Sequence, residues 1–223
     1  MIKTKERELK QIYAMVVIVF LVFLLIPIVL LLGKSFEGGG GVSLEHYADV
    51  AGGKGFAAAF GRSIFVSCVS AVLTTALAFV LAYTIHYTNV PGGLKKFIRL
   101  AAVVPMLLPT ITYGFAIIYS FGRQGFITGM IGHQMFEIYG FYGLLLGYVI
   151  YTLPISFMLI LNTMCFIDKK FMIVSRIVGD RPLNTFLGTV IRPLLGTLAA
   201  SFVQCFFLCF TDFGYTGFCR RTV

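Results

Sequence analysis

Long apolar stretches separated by shorter polar segments dominate the sequence. Five of them contain at most one charged residue each, and their lengths are close to the roughly 20 residues that a helix needs to cross a bilayer. The predicted spans are Ile12–Leu32, Ile64–Ile85, Leu100–Phe121, Phe141–Phe166 and Leu194–Phe213. The pattern therefore predicts an all-α fold, a polytopic membrane bundle with five transmembrane helices.

The composition excludes several other classes of protein. Of the 223 residues, 58% are hydrophobic and 12% are charged, whereas soluble globular proteins average roughly 45–50% and about 25%. A soluble domain of this size has no core large enough to bury these stretches. A water-soluble enzyme, a disordered chain and a disulfide-rich secreted module are therefore excluded.

Basic residues precede the first span, so a secretory signal peptide is the alternative interpretation of the N-terminus. The uncharged run of 21 residues is longer than the ~7–15 residues of a signal-peptide core. The sequence that follows, Gly33-Lys34-Ser35, is not a small-x-small cleavage site. An uncleaved first helix is favoured, with residues 1–11 as a separate N-terminal segment.

Lys and Arg residues are distributed unevenly between the two sides of the predicted bundle. Twelve lie in residues 1–11 and in the second–third and fourth–fifth connections, against four in the loops of the other side. Cytoplasmic loops carry the excess of basic residues, which predicts a cytoplasmic N-terminus in the plasma (inner) membrane. The net charge of +9 has the same explanation, and nucleic acid is not an expected partner because no basic stripe alternates with aromatic residues.

Three residues are candidates for lining a path through the membrane. Asp212 and Gln204 lie in the fifth span, and a charge at mid-membrane costs at least ~2.5–3.5 kcal/mol, so that polar groups there are functional candidates. The alternative for Asp212 is a position at the outer end of the span, in contact with water. Pro109, like other prolines within the spans, bends its helix, which favours a protein that moves.

Residue patterns of catalysis or metal binding do not occur. His46, His86 and His133 lie in different loops, and no zinc-protease, nucleophile-elbow or phosphate-loop pattern is present. Cys205 and Cys209 are one helical turn apart without further ligands nearby in sequence. We therefore expect no catalytic residue, no metal site and no cofactor in this chain, and a partner or an ion gradient must supply any energy.

The connection at 167–193 differs from an ordinary cytoplasmic loop, because apolar residues alternate with arginines. A short helix ended by Gly179, a turn, and a second helix starting at Pro182 are predicted. A surface this apolar is typical of a docking site for another protein. The alternative is an interfacial helix that lies on the lipid headgroups.

This connection resembles the EAA loop of type I ABC importer permeases. Gly179 occupies the position of the family's glycine, and Thr185-Phe186 and Thr211-Asp212-Phe213-Gly214 match usual family residues. The stretch Phe121–Gly125 resembles members that handle ferric ion, polyamines or phosphonates. The motif's Glu-Ala-Ala positions are occupied by Ile173, Val174 and Ser175, and Arg192 stands where proline is expected, with Pro193 after it.

The resemblance implies the permease subunit of an ATP-driven solute importer, in which a separate ATPase binds this connection. It implies that the apolar residues fill a groove of the ATPase, that the arginines contact its rim, and that Gly179 permits the turn. The residues concerned are Ile173, Ser175, Arg176, Ile177, Gly179, Arg181, Leu183 and Phe186. It also implies ABC-type ATPase subunits, an identical or different second permease subunit and an extracytoplasmic solute-binding protein as partners, all in or at a lipid bilayer.

Family members usually have a sixth helix, which is missing here. We therefore expect a permease domain at 12–214, with the coupling loop at 167–193, and a short tail at 215–223. The chain is then either a truncated or frameshifted product, with an aberrant tail, or the leading part of a longer permease. The alternative functions are a non-transporting or secondary-transport helix bundle, or an inactive truncated permease.

Overall fold

The computed structural model describes residues 2–38, 41–53, 55–133, 138–168, 170–179 and 181–212 and confirms a helical fold. The helices are α1 (Ile2–Phe20), α2 (Ile26–Ser35), α3 (Glu45–Gly52), α4 (Phe56–Tyr87), α5 (Gly92–Val103), α6 (Thr110–Phe121), α7 (Phe126–Ile131), α8 (Phe141–Cys165), α9 (Lys170–Ile177), α10 (Pro182–Phe186) and α11 (Arg192–Thr211). In the described part, the strands are β1 (Glu37–Gly38) and β2 (Gly41–Val42), which form an antiparallel pair.

The first of two compact units ends at Phe60. Its main element is the predicted first span, which extends over 28 residues as Glu8–Ser35 and consists of α1, a π-helical segment at Leu21–Leu25, and α2. At the end of α2, the Ser35 Oγ lies 2.7 Å from the Tyr47 hydroxyl, and this hydrogen bond links α3 to α2. The apolar side chains of the span are exposed, as expected for a helix that lipid surrounds.

The second unit contains the central helix bundle. Helices α4, α8 and α11 pack around a core in which Ala78 and Ala82 of α4 face the larger Phe157 and Ile160 of α8, all fully buried. Alanines allow close approach of membrane helices, where dispersion contacts drive association. The second and fourth spans are confirmed as Phe56–Tyr87 and Phe141–Cys165, so the chain is a multi-pass membrane protein.

Hydroxyl groups link these three helices inside the bundle. Thr74 of α4 and Thr152 of α8 have their side-chain oxygens 3.0 Å apart, and the Ser156 Oγ lies 2.8 Å from the Cys205 Sγ of α11. All four residues are buried. Such bonds satisfy polar groups that have no access to water in a bilayer, so this polar seam serves helix association.

The third predicted span is sharply bent, as expected from the prolines that interrupt it. The apolar segments Gly92–Leu107 and Ile111–Ile131 meet at an angle of 116°. Proline disfavours a helical conformation of the residue before it, and Leu108, which precedes Pro109, is extended (φ −102°, ψ 141°). The Tyr113 hydroxyl donates to the backbone oxygens of Pro105 and Leu108, so the break has a polar partner.

The fifth span begins earlier than predicted. Helix α10, a π-helical segment at Leu187–Ile191, and α11 form one apolar element, Pro182–Thr211, and Pro193 does not end it. A proline ring clashes with the carbonyl four residues earlier, here that of Thr189, and the wider π turn that contains Thr189 accommodates the clash. The expected tail at 215–223 lies outside the described residues.

Candidate coupling site and membrane path

Helices α9 and α10 form a helix–turn–helix between the ends of α8 and α11. The Asp168 carboxylate accepts a hydrogen bond from the Lys170 backbone N–H (2.9 Å) where α9 begins. After α9, Gly179 has φ +87°, a left-handed conformation that suits glycine at a helix C-terminus. Arg181 is extended and Pro182 occupies the first turn of α10, where its missing N–H has no cost.

Three contacts hold this helix–turn–helix in place. The side-chain oxygens of Ser175 in α9 and Thr185 in α10 lie 2.9 Å apart, with Thr185 buried. The Phe186 ring meets the rings of Phe79 and Tyr83 of α4 edge-on, with centroids 6.2 and 5.6 Å away. Met172 packs against the core of the bundle. The inner side of the segment is therefore fixed to α4 and α8.

The outer side of the segment is apolar and exposed. Ile177 is 78% exposed, Leu183 73% and Ile173 58%. We name this surface the coupling face, and it consists of Phe171, Ile173, Val174, Ile177, Val178 and Leu183, all of them exposed. A contiguous exposed apolar surface next to a well-packed core is the usual mark of a protein docking site.

The predicted coupling residues divide between the two sides of the segment. Ile173, Ile177 and Leu183 lie on the coupling face, and Arg181 is exposed at the turn. The Phe186 ring packs inward against Phe79 and Tyr83 and is half-buried. Ser175 also faces inward. The Arg176 side chain lies outside the described part of the structure.

The structure contains a cavity of ≈ 350 Å³ beside α9 that the sequence did not predict. Its lining includes Phe166, Phe171, Gly188 and Pro193, so it joins the start of α9 to the π segment before α11. The cavity gives the helix–turn–helix a pocket next to its coupling face.

A cavity of ≈ 290 Å³ with both polar and apolar residues in its lining lies at the opposite end of α11. We name it the polar cavity after its charged residues. Asp212, which follows the last residue of α11, lines it together with Arg62 near the start of the long helix α4. Ser63, Ser67 and Tyr148 add hydroxyl groups to the same wall. Opposite charges and hydroxyls around one concave space are suited to a small polar or charged solute.

The three predicted path residues do not meet. Asp212 lines the polar cavity, whereas Gln204 is exposed on α11 and Pro109 is exposed at the break before α6; neither lines that cavity. Gln204 lies beside the buried Cys205 and Ser201 in sequence but points away from them. Arg62 was missed because its position before the second span resembles that of an ordinary basic residue flanking a helix.

Metal ligands are not grouped in the described part of the chain. No set of three or more His, Cys, Asp or Glu residues there could hold a metal ion.

The comparisons with known proteins concern the whole arrangement. No protein-family model matches the chain. The chain is 26% identical over 158 residues to the probable sulfate transport system permease protein cysT of Helicosporidium sp. subsp. Simulium jonesii. This match covers 70% of this chain and 58% of that relative. The chain is also 24% identical over 205 residues to the ferric transport system permease protein FbpB of Actinobacillus pleuropneumoniae. This match covers 89% of this chain and 29% of that relative.

A solved structure shares the fold. A bacterial ABC transporter involved in the import of the acidic polysaccharide alginate matches with a TM-score of 0.73 at 14% identity, over 92% of this chain and 74% of the solved chain. The resemblance predicted from the coupling segment is therefore confirmed. The fold is shared with a chain of that ABC importer, and the relatives are named as transport system permease proteins.

Proposed function

We propose that this chain is the membrane permease subunit of an ATP-driven solute importer and that its coupling face binds a separate ATPase. The observation that carries the proposal is the helix–turn–helix between α8 and α11, which is fixed to the bundle on one side and exposes six apolar residues on the other. An apolar helical surface of this kind fits a groove on a partner. ATP hydrolysis belongs to that partner, and this chain binds no cofactor of its own.

The structure suggests how movement of a bound ATPase reaches the membrane. Helix α10 continues through the π segment into α11, so a displacement of the coupling face moves α11 without an intervening loop. Phe186 transmits the same displacement to α4 through Phe79 and Tyr83. Nucleotide-driven closure of two ATPase subunits would thus rock α4 and α11 between inward-facing and outward-facing arrangements.

The remaining partners follow from this role. A second permease subunit, identical or different, completes the path, and the exposed Gln204 amide on α11 is placed to meet it rather than lipid. A solute-binding protein delivers its cargo to segments 34–62 and 122–140 on the extracytoplasmic side. The distribution of basic residues supports a plasma (inner) membrane location with a cytoplasmic N-terminus.

The solute is not fixed by similarity, because one relative is named for sulfate and another for ferric transport. The polar cavity with Arg62 and Asp212 is our candidate for its place in this chain. Both signs of charge are present there, so the cavity suits a small polar or charged solute as a class.

Copurification tests the proposal. The tagged chain is extracted in mild detergent from its own host, and an ATPase of the ABC type is expected among the proteins that elute with it. The double variant Ile177→Asp/Leu183→Asp should lose that ATPase, because two carboxylates replace apolar groups that a groove would bury. The matched control is Phe126→Asp/Met130→Asp, which changes equally exposed apolar residues of α7.

Two outcomes contradict the proposal. If the unchanged chain elutes without an ATPase, the chain is a secondary transporter or a non-transporting bundle. If both double variants keep the ATPase equally well, another surface binds it and the coupling face has a different role.

A further inference from the structure

A third cavity, of ≈ 280 Å³, lies between α4, α5 and α8 at the end of the bundle that carries α9 and α10. Its floor is apolar, formed by Ile85 and Leu161, which also belong to the core on which Phe186 packs. Its rim is basic. The full lining is Ile85, His86, Lys95, Lys96, Arg99, Leu161 and Cys165.

The charges of this basic pocket are not balanced within the part of the chain that the structure describes. Lys95, Lys96 and Arg99 bring three positive charges to its lining, no carboxylate lines it, and none of the three forms an ion pair there. Lys95 and Arg99 are four residues apart on one helix, a spacing at which like charges repel. Basic residues that only set the membrane orientation need not converge on one cavity. The convergence indicates an anionic ligand.

Helix α5 has a second face that identifies the source of the anion. Leu94, Phe97 and Leu100 recur at intervals of three residues and are exposed, so one side of α5 is apolar while Lys95 and Arg99 line the pocket. An apolar stripe beside a basic pocket, at the level where α4 and α8 end, matches a headgroup with its acyl chains. A free anion has no apolar part that could pack against this apolar side of α5.

We propose that the basic pocket binds the phosphate headgroup of an anionic glycerophospholipid. The headgroup phosphate accepts hydrogen bonds from Lys95, Lys96 and Arg99, and the acyl chains lie along Leu94, Phe97 and Leu100. Basic pockets between transmembrane helices on the cytoplasmic side are suited to such headgroups. Because Ile85 and Leu161 connect the pocket to the core beneath Phe186, the lipid braces α5 against α4 and α8 next to the coupling segment.

Cys165 provides a direct readout of occupancy. Its side chain is exposed and lines the pocket, whereas Cys205 and Cys209 are buried. The purified full chain is placed in mixed detergent micelles that contain phosphatidylcholine alone or phosphatidylcholine with added phosphatidylglycerol. The rate at which an uncharged maleimide alkylates Cys165 is then followed by peptide mass spectrometry. A bound headgroup should slow this alkylation severalfold, and only with the anionic lipid.

Matched variants separate a built site from general surface attraction. Lys95→Gln/Arg99→Gln should raise the phosphatidylglycerol concentration needed for protection by about tenfold or more. Lys10→Gln/Arg192→Gln removes two positive charges from the same predicted side and should leave protection unchanged. Lys95→Arg/Arg99→Lys keeps both charges and should retain it.

Each remaining result also decides the question. Equal loss of protection in both charge-removing variants, or no protection of the unchanged chain, would overturn the proposal. Protection by inorganic phosphate in phosphatidylcholine micelles, matching that by phosphatidylglycerol, would assign the pocket to a soluble phosphate compound instead. If Cys205 becomes reactive in the double variant, the fold has opened, and Arg99→Gln alone carries the test. The test needs no ATPase, so its failure is distinct from failure of the importer function.

Discussion

The two ends of α11 carry opposite kinds of surface. The coupling face before it is convex, apolar and exposed, whereas the cavity at Asp212 after it is concave and lined by Arg62, hydroxyl groups and a carboxylate. The continuous helical element Pro182–Thr211 has 30 residues, so the two surfaces are about 45 Å apart along its axis. One end is suited to a protein partner and the other to a small polar solute.

The difference shows how a single helix can connect two binding events. The coupling face has few polar groups and gains free energy when a partner buries it. The Asp212 cavity differs because Arg62, Asp212 and several hydroxyl groups stand among apolar residues in its lining, so that charge and hydrogen bonds can select what binds there. Changes at the two ends should therefore separate ATPase coupling from solute handling.

The largest effect is expected at Gly179. The variant Gly179→Arg places a long cationic side chain at the turn between α9 and α10. Gly179 has a left-handed backbone conformation, which costs a residue with a Cβ about 1–2 kcal/mol. Because the surroundings of Gly179 are open, the bundle should still fold while the ATPase can no longer seat. Solute-stimulated ATP hydrolysis in reconstituted vesicles should disappear, with basal hydrolysis retained.

The matched control is Gly179→Ala, which has the same backbone strain without the bulk. It should keep most of the stimulated hydrolysis, since a Cβ there meets no atom within 4 Å. Unchanged stimulation in Gly179→Arg would show that the turn does not contact the ATPase.

A change at the other end should affect transport alone. Asp212→Asn removes the carboxylate from the polar cavity, and import should fall by about tenfold or more, the loss of one charge-assisted contact. ATPase copurification should stay normal, because the coupling face is intact. The measurement is uptake of radiolabelled candidate solutes, among them sulfate and ferric ion, into vesicles. Thr211→Ala, at a neighbouring residue of the cavity lining, is the control expected to keep import, and equal losses in both variants would place the solute elsewhere.

Variants of Phe186 test whether this residue holds the helix–turn–helix in place or contacts the ATPase directly. Phe186→Ala removes edge-on aromatic contacts worth about 0.5–1.5 kcal/mol each, in addition to buried area. The helix–turn–helix should loosen from α4, and ATPase capture should weaken severalfold without a change on the coupling face itself. Phe186→Tyr keeps the ring and should restore capture. A loss as complete as that of Ile177→Asp/Leu183→Asp would instead mean that Phe186 contacts the partner directly.

The sequence predicted the features that depend on length and local chemistry. The fourth span was correct to within one residue because its apolar run has the length of a crossing helix, and the turn followed from Gly179 and Pro182. The bend at Pro109 was expected, but which prolines break their helix outright was not predictable from sequence. Pro154 stays inside α8, whereas Pro109 breaks the third segment, and the outcome depends on which neighbouring groups satisfy the freed carbonyls.

The functional sites show the same division between features that local sequence predicts and features that tertiary packing decides. An apolar segment with arginines indicates a docking surface, but the side to which each residue turns depends on tertiary packing. Phe186 turns inward because Phe79 and Tyr83, about 100 residues earlier in the chain, offer it aromatic edges. Arg62 and Asp212 are 150 residues apart in sequence, and only the packing of α4 against α8 and α11 brings them to one cavity.

The smallest effect is expected in the polar seam between the two ends. Thr152 donates its only hydroxyl hydrogen to the Tyr148 backbone oxygen (2.7 Å), so the bond between the two threonines must be donated by Thr74. A double-mutant cycle of Thr74→Val and Thr152→Val should give a coupling energy of about 0.6–1 kcal/mol, as for other interhelical bonds in membranes. The cycle is measured by urea or thermal unfolding in detergent. Thr84→Val, whose hydroxyl bonds only to its own helix, should show no coupling to Thr152→Val. A coupling near zero for Thr74 would mean that the seam fills space, and that the alanines of α4, rather than its hydroxyls, hold the bundle between its two functional ends.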